Sequence, residues 1–182
     1  MQQEINRSSH AIVLSLRAKW CPEIFSGRKR IEYRKFFPEW FSGKVYVYEC
    51  GPDSRHKIIG VFRTDRVARW NPQSGETDKV ADAFAYAKAP ISELEDLIAN
   101  EDNPLTCIPV MKPRLLTRPL TLKEFSERYM ASPKIESAPM SWQKTRIDYS
   151  IIDEIVDPSE MQEGVDIHSR SEYTTKINGG KK

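Results

Sequence analysis

The stretch Gly27-Arg28-Lys29-Arg30-Ile31-Glu32-Tyr33-Arg34 decides how the rest of the chain is read. It opens on a glycine, the residue that most readily ends a helix in a left-handed turn. It then alternates, with Ile31 and Tyr33 apolar and Glu32 and Arg34 charged. A period of two belongs to a strand with one face buried, and it puts Glu32 and Arg34 together on the other face. Lys29 falls at the corner where helix gives way to strand. Lys29 and Arg34 can hold an anion there, or Arg34 can hold Glu32 in place. Glu32 can in turn accept from an exocyclic amino group such as that of cytosine or adenine. An internal Glu32–Arg34 ion pair fixing the corner of the sheet is the alternative use of the same residues.

Outward from this octapeptide, residues 17–44 hold eight bases (Arg17, Lys19, Arg28, Lys29, Arg30, Arg34, Lys35, Lys44) against three acids. Seven aromatics are interleaved with them: Trp20, Phe25, Tyr33, Phe36, Phe37, Trp40 and Phe41. Cations meet phosphates and flat rings stack on unpaired bases, so this mixture suits single-stranded or looped nucleic acid. Phe25, Phe36 and Phe41 are expected in the core. Ser15, Arg17, Lys19 and Trp20 belong to or follow a first strand expected to run beside the motif strand. Tyr48 and Trp142 are further rings able to stack a base.

The flanking elements alternate between strand and helix signals. Residues 11–16 form a β-branched apolar run of strand length, and Pro22 opens a short helix over 21–26 that Gly27 ends. A second strand is expected over 30–35 and a third over 44–49, with Val45 and Val47 on one face and Tyr46 and Tyr48 on the other. Residues 57–70 read as a long strand or a bent pair, in which Gly60 signals a bulge or a close backbone approach. Helices are expected over 77–88 and from Ser92, where Glu95 completes a capping box. Together with the 53–57 turn they resemble an insertion that covers the cleft. A strand over 106–116 is interrupted by Pro109 and Pro113, and a second capping box, Thr121 to Glu124, opens a helix to Met130. Residues 132–147 read as irregular. Strands interspersed with helices predict an α+β fold, a mixed β-barrel with peripheral helices.

The bulk numbers agree. A length of 182 residues with 39% apolar content supports one compact domain over 11–150. Residues 1–10 are expected to be a flexible N-terminus and 151–182 a flexible tail. The formal charge of +2 conceals a division. The tail carries seven acids and four bases, leaving the body at +5, a balance suited to a polyanion partner. The acidic tail could also dock a protein partner. Cys21, Cys50 and Cys107 lie far apart with no CxxC pair, and the three histidines are scattered, so neither a metal nor a cofactor is expected. Sparse cysteines, the lack of an 18-residue apolar run and a polar start predict a cytoplasmic chain without a membrane span.

Gly27-Arg-Lys29-Arg-Ile-Glu32-Tyr-Arg34 resembles the G-x-K-x-x-E-x-R motif of the ASCH domain at every fixed position. Its surroundings are similar too: the strand before it, a Trp and short helix ending Ile24-Phe25-Ser26-Gly27, and the strands after it. Arg118-Pro-Leu-Thr-Leu122 resembles the family's later strand-to-helix junction, and Ala138-Pro-Met-Ser-Trp142 its closing segment. The resemblance implies a PUA-like barrel whose cleft lies beside the motif. It also implies a regulatory RNA- or nucleotide-binding role, with DNA as the other polyanion. Some members are ribonucleases or amidohydrolases acting on acetylated cytidine. In those amidohydrolases the motif lysine activates a threonine three residues on; here Lys29 matches the lysine, and Glu32 stands at the threonine. Lys29 and Glu32 are the catalytic candidates if the chain is an enzyme. Arg17, Lys19, Trp20, Lys29, Glu32, Arg34, Tyr48 and Trp142 are the binding candidates.

Overall fold

A computed structural model describes residues 10–131 and 134–147. In chain order the elements are β1 (His10–Arg17), a 3-10 turn (Ala18–Trp20), α1 (Cys21–Phe25), β2 (Ile31–Arg34), β3 (Gly43–Cys50), β4 (Lys57–Thr64) and β5 (Ala68–Trp70). There follow α2 (Asp78–Ala87), α3 (Ile91–Asn100), β6 (Leu105–Pro109), β7 (Met111–Thr121), α4 (Leu122–Tyr129) and β8 (Trp142–Arg146). These residues form two compact units built from interleaved segments. Among the described residues the first draws on 10–28, on Lys44–Phe62, on 113–131 and on 134–147; the second consists of Lys29–Gly43 and Arg63–Lys112. The expected N-terminal and C-terminal appendages, 1–10 and 151–182, lie outside the described residues apart from His10.

The first unit carries a five-stranded sheet in the order β7-β4-β3-β1-β8. β1 lies inside it, parallel to β3 with Val13 opposite Tyr46 and antiparallel to β8 with Leu14 opposite Trp142. A strand flanked on both sides and covered on both faces should be apolar without alternation. Residues 11–16 are accordingly all buried. Ala11, Val13, Tyr46 and Tyr48 share one cluster with Phe125 and Tyr129 of α4, whose Thr121–Glu124 capping box is formed as expected.

Gly60 on β4 illustrates how tightly this unit is packed. A Cβ placed there would lie 2.4 Å from two ring atoms of Phe25 and 2.6 Å from the carbonyl oxygen of Arg114. Of the two expected roles of this glycine, close backbone approach is the one realised. Phe25 is 1% exposed, and a backbone oxygen cannot swing aside. Gly60→Ala is therefore expected to cost about 3 kcal/mol of overpacking, read as a lower urea midpoint at unchanged slope.

The second unit has a three-stranded antiparallel sheet in the order β2-β6-β5. Ile31, Ala68 and Cys107 on one sheet face pack with Val80, Ala83 and Phe84 of α2 and with Leu94 and Leu97 of α3. Burial, and secondarily the nearby Glu93 carboxylate, push the Cys107 thiol up to about 12.

Several local expectations change. The 57–70 stretch is two strands in different sheets, broken where Arg66 takes a positive φ of 54°. The proline-rich 106–116 stretch likewise divides into β6 and β7. Residues 142–146 form a strand because β1 offers them an edge. The Ser92–Glu95 capping box is absent: Pro90 is the N-cap, so Ser92 already lies within the first turn. Helices α2 and α3 form the packing layer of the β2-β6-β5 sheet. The fold is mixed α+β with two sheets, and among the described residues the order of the five-stranded sheet ends at β7 and β8 without closing. No helix among the described residues is long and apolar enough to cross a membrane.

Candidate functional site

Gly27 turns the chain out of α1 with φ +73°, the conformation its position in the motif suggested. Four residues later β2 begins, and its alternation sorts the motif. Ile31 and Tyr33 face the helices. Tyr33 donates its hydroxyl to Glu93 of α3 at 2.6 Å, and burial together with that bond holds its proton well above the usual phenol range.

The other face of β2 carries Glu32 and Arg34. Lys29 Nζ lies 2.6 Å from Glu32 Oε2, and Arg34 Nε lies 2.9 Å from Oε1. The carboxylate side chain is 5% exposed, against 18% for Lys29 and 17% for Arg34. The three motif residues thus converge, and each oxygen of Glu32 is taken by a cation. Of the two uses expected of Glu32, the ion pair with Arg34 is formed, with Lys29 as a second cation, and the carboxylate keeps further lone pairs.

Register extends this face. Arg34 stands opposite Thr106 on β6, and Thr106 stands opposite Arg69 on β5. Cross-strand partners share a face, so Arg34, Thr106 and Arg69 form one row across the sheet. Arg69 Nη1 donates to the Lys35 carbonyl at 3.0 Å and, at 3.5 Å, to Thr106 Oγ1. Tyr33, Arg34, Lys35 and Arg69 line a cavity of about 500 Å3, together with Glu101 and Asn103 from the α3–β6 loop. Phe36 is 63% exposed, with Lys35 Nζ and Arg69 Cζ each 5.7 Å from its ring centroid. Among the described residues Lys35 and Arg69 have no carboxylate partner.

Sequence reasoning placed Phe36 in the core. Phe25 and Phe41 are there, but Phe36 is not, because β2 ends at Arg34 and the loop that follows turns its ring outward. In the sequence Lys35 reads only as one of the bases, and Arg69 and Glu101 carry no motif. Alternation was the available signal for Arg69, since Ala68 and Trp70 on either side are buried.

Arg17, Lys19, Trp20, Tyr48 and Trp142 belong to the first unit. Arg17 and Lys19 are exposed, and Lys19 Nζ sits 5.0 Å from the Trp20 ring centroid, with Trp20 44% exposed. Trp142 is half-buried on β8, and Ser15 Oγ donates to the Pro139 carbonyl. Tyr48 is a correction. Only 7% exposed, its ring lies in the hydrophobic cluster of that unit and has no open face for a base.

No family model matches the chain, and no curated protein does. Solved structures do. The ASCH protein of Zymomonas mobilis aligns with a TM-score of 0.50 at 16% identity, over 82% of this chain and 94% of its own. Two single-residue variants of that protein align with the same score and identity, each over 79% of this chain and over 94% and 92% of theirs. At this identity the likeness is one of fold: the chain has an ASCH-type fold, as its motif led us to expect.

Proposed function

We propose that this protein binds RNA or a nucleotide, by seating phosphate on the Arg34–Lys35–Arg69 rim of the cavity and a base on Phe36. The observation that carries the reading is that Lys35 and Arg69 line the cavity without a carboxylate partner. Unneutralised cations beside one another repel, and an incoming phosphate relieves that repulsion while releasing counterions. A cavity of about 500 Å3 is the size of sites that take small ligands, and a base fits within that range. Phe36, exposed beside Lys35 and Arg69 though not in the cavity lining, gives a sequence-tolerant stacking face.

The binding reading is preferred to catalysis on the state of Glu32. A general base needs a lone pair aimed at its substrate. Here Lys29 and Arg34 stand at ion-pair distance from the two oxygens, which favours a role for the carboxylate in holding Arg34. Regulation through such binding, a cytoplasmic setting and a protein partner for the acidic tail belong to the same proposal and rest on composition.

Phe36→Ala tests the stacking half. Binding of a fluorescein-labelled single-stranded RNA, followed by anisotropy, is expected to weaken about tenfold, the worth of one stacked base, with no change in its salt dependence. Unaltered affinity would show that the ring is idle.

A further inference from the structure

The cavity holds a carboxylate that the phosphate reading does not use. Glu101 lines it alongside Arg34, Lys35 and Arg69, yet among the described residues it forms no ion pair with any of them. In a shared cavity an acid and bases gain by pairing, and no such ion pair forms here among the described residues. Glu101 is fixed from its own side. Its backbone N–H caps α3 by donating to the Leu97 carbonyl at 3.0 Å, and its carbonyl accepts from Trp70 Nε1 at 3.3 Å. Its Oε1 accepts from the Asn103 backbone N–H at 2.8 Å, while Oε2 accepts no hydrogen bond among the described residues. Placement at the C-terminal end of α3, a helix with no base in its last turn, is unfavourable for an acid, so local helix energetics do not account for it.

A cavity with cations in one part and an oriented carboxylate in another is complementary to a molecule that is anionic at one end and rich in N–H donors at the other. A nucleotide is such a molecule, and the bases differ in how well they meet a carboxylate. Uracil offers one ring N–H between two carbonyls, which a carboxylate repels. Adenine and cytosine offer an amino group beside a ring nitrogen that is itself an acceptor. Guanine alone offers two adjacent donors, N1–H and the 2-amino group, which a carboxylate can accept together. Its O6 then needs a donor, and the Asn103 side chain on the same loop carries an amide NH2. Leu105 supplies apolar lining for the ring.

We infer that this site selects guanine, with Glu101 reading the N1–H and 2-amino edge while Arg34, Lys35 and Arg69 take the phosphate. The inference rests on the polyanion reading above and names its base.

The test is calorimetric titration of the full chain with GMP, AMP, CMP and UMP at low salt, beside a single-stranded RNA of mixed sequence. GMP is expected to bind about tenfold more tightly than the others. Glu101→Gln, which keeps an oxygen for the Asn103 N–H, is expected to remove that preference, so that GMP and AMP bind the variant alike. Four mononucleotides binding equally while the RNA binds would overturn the guanine assignment and leave the polyanion reading in place. Unchanged GMP affinity in Glu101→Gln would overturn it too. No binding of any mononucleotide or of the RNA would overturn both readings.

Discussion

Glu32→Ala is expected to lose about 3 kcal/mol of folding stability, the largest effect of any single charge in the second unit. The reasoning begins with burial. Glu32, Lys29 and Arg34 are all mostly withdrawn from water, with side-chain exposures of 5%, 18% and 17%. The carboxylate is an ion-pair partner of both cations. Removing it takes an opposite charge from two cations in a poorly solvated place. Glu32→Gln keeps the volume and one acceptor, so it should fall between alanine and the native protein. Lys29→Met is milder still, because the Glu32–Arg34 contact survives it. Against a typical domain stability of about 5–15 kcal/mol, a loss of this size is easily read in equilibrium urea unfolding. An alanine variant as stable as the native chain would show that these groups are solvated and that the anchor is not one.

Replacing Lys35 by alanine and Arg69 by glutamine together is expected to weaken binding of single-stranded RNA by roughly 10- to 100-fold at low salt. Both cations line the cavity, and neither is held by an acid among the described residues. Their removal should therefore cost binding without freeing a buried carboxylate. Glutamine retains a donor for the Lys35 carbonyl, which Arg69 contacts at 3.0 Å, so the loop following β2 keeps that support. The matched control is Lys79→Ala with Lys123→Ala, which removes the same charge from α2 and α4, where neither side chain lines the cavity. A general loss of positive charge would weaken both double variants alike. A site would weaken only the first.

The motif strand could be read from the sequence because its signal is local. Ile31 and Tyr33 alternate with Glu32 and Arg34, and pleating alone then sorts the faces. The same is true of the Thr121–Glu124 box, whose partners are three residues apart. What depended on distant pairing was harder to read. Arg69 becomes part of the site only through the register of β5 and β6, which brings it level with Thr106 and so with Arg34. Residues 142–146 carry a weak strand signal of their own and become β8 because β1 presents an edge. Ser92–Glu95 is the reverse case, a correct capping pattern displaced because Pro90, with its fixed φ, starts the helix earlier. Tyr48 shows the limit of the aromatic argument. A ring on an alternating strand stacks on a ligand only if its face is open, and here both faces of the central strands are covered.

The central claim is that the second unit binds polyanions through Lys35 and Arg69, and the salt dependence of RNA affinity tests it most directly. On a single strand each neutralised phosphate contributes about −0.7 to the slope of log affinity against log salt. The Lys35→Ala, Arg69→Gln protein is expected to show a slope shallower than the native one by about 1.4, with the α2–α4 control parallel to the native line. Identical slopes for the native protein and the cavity variant would contradict the claim.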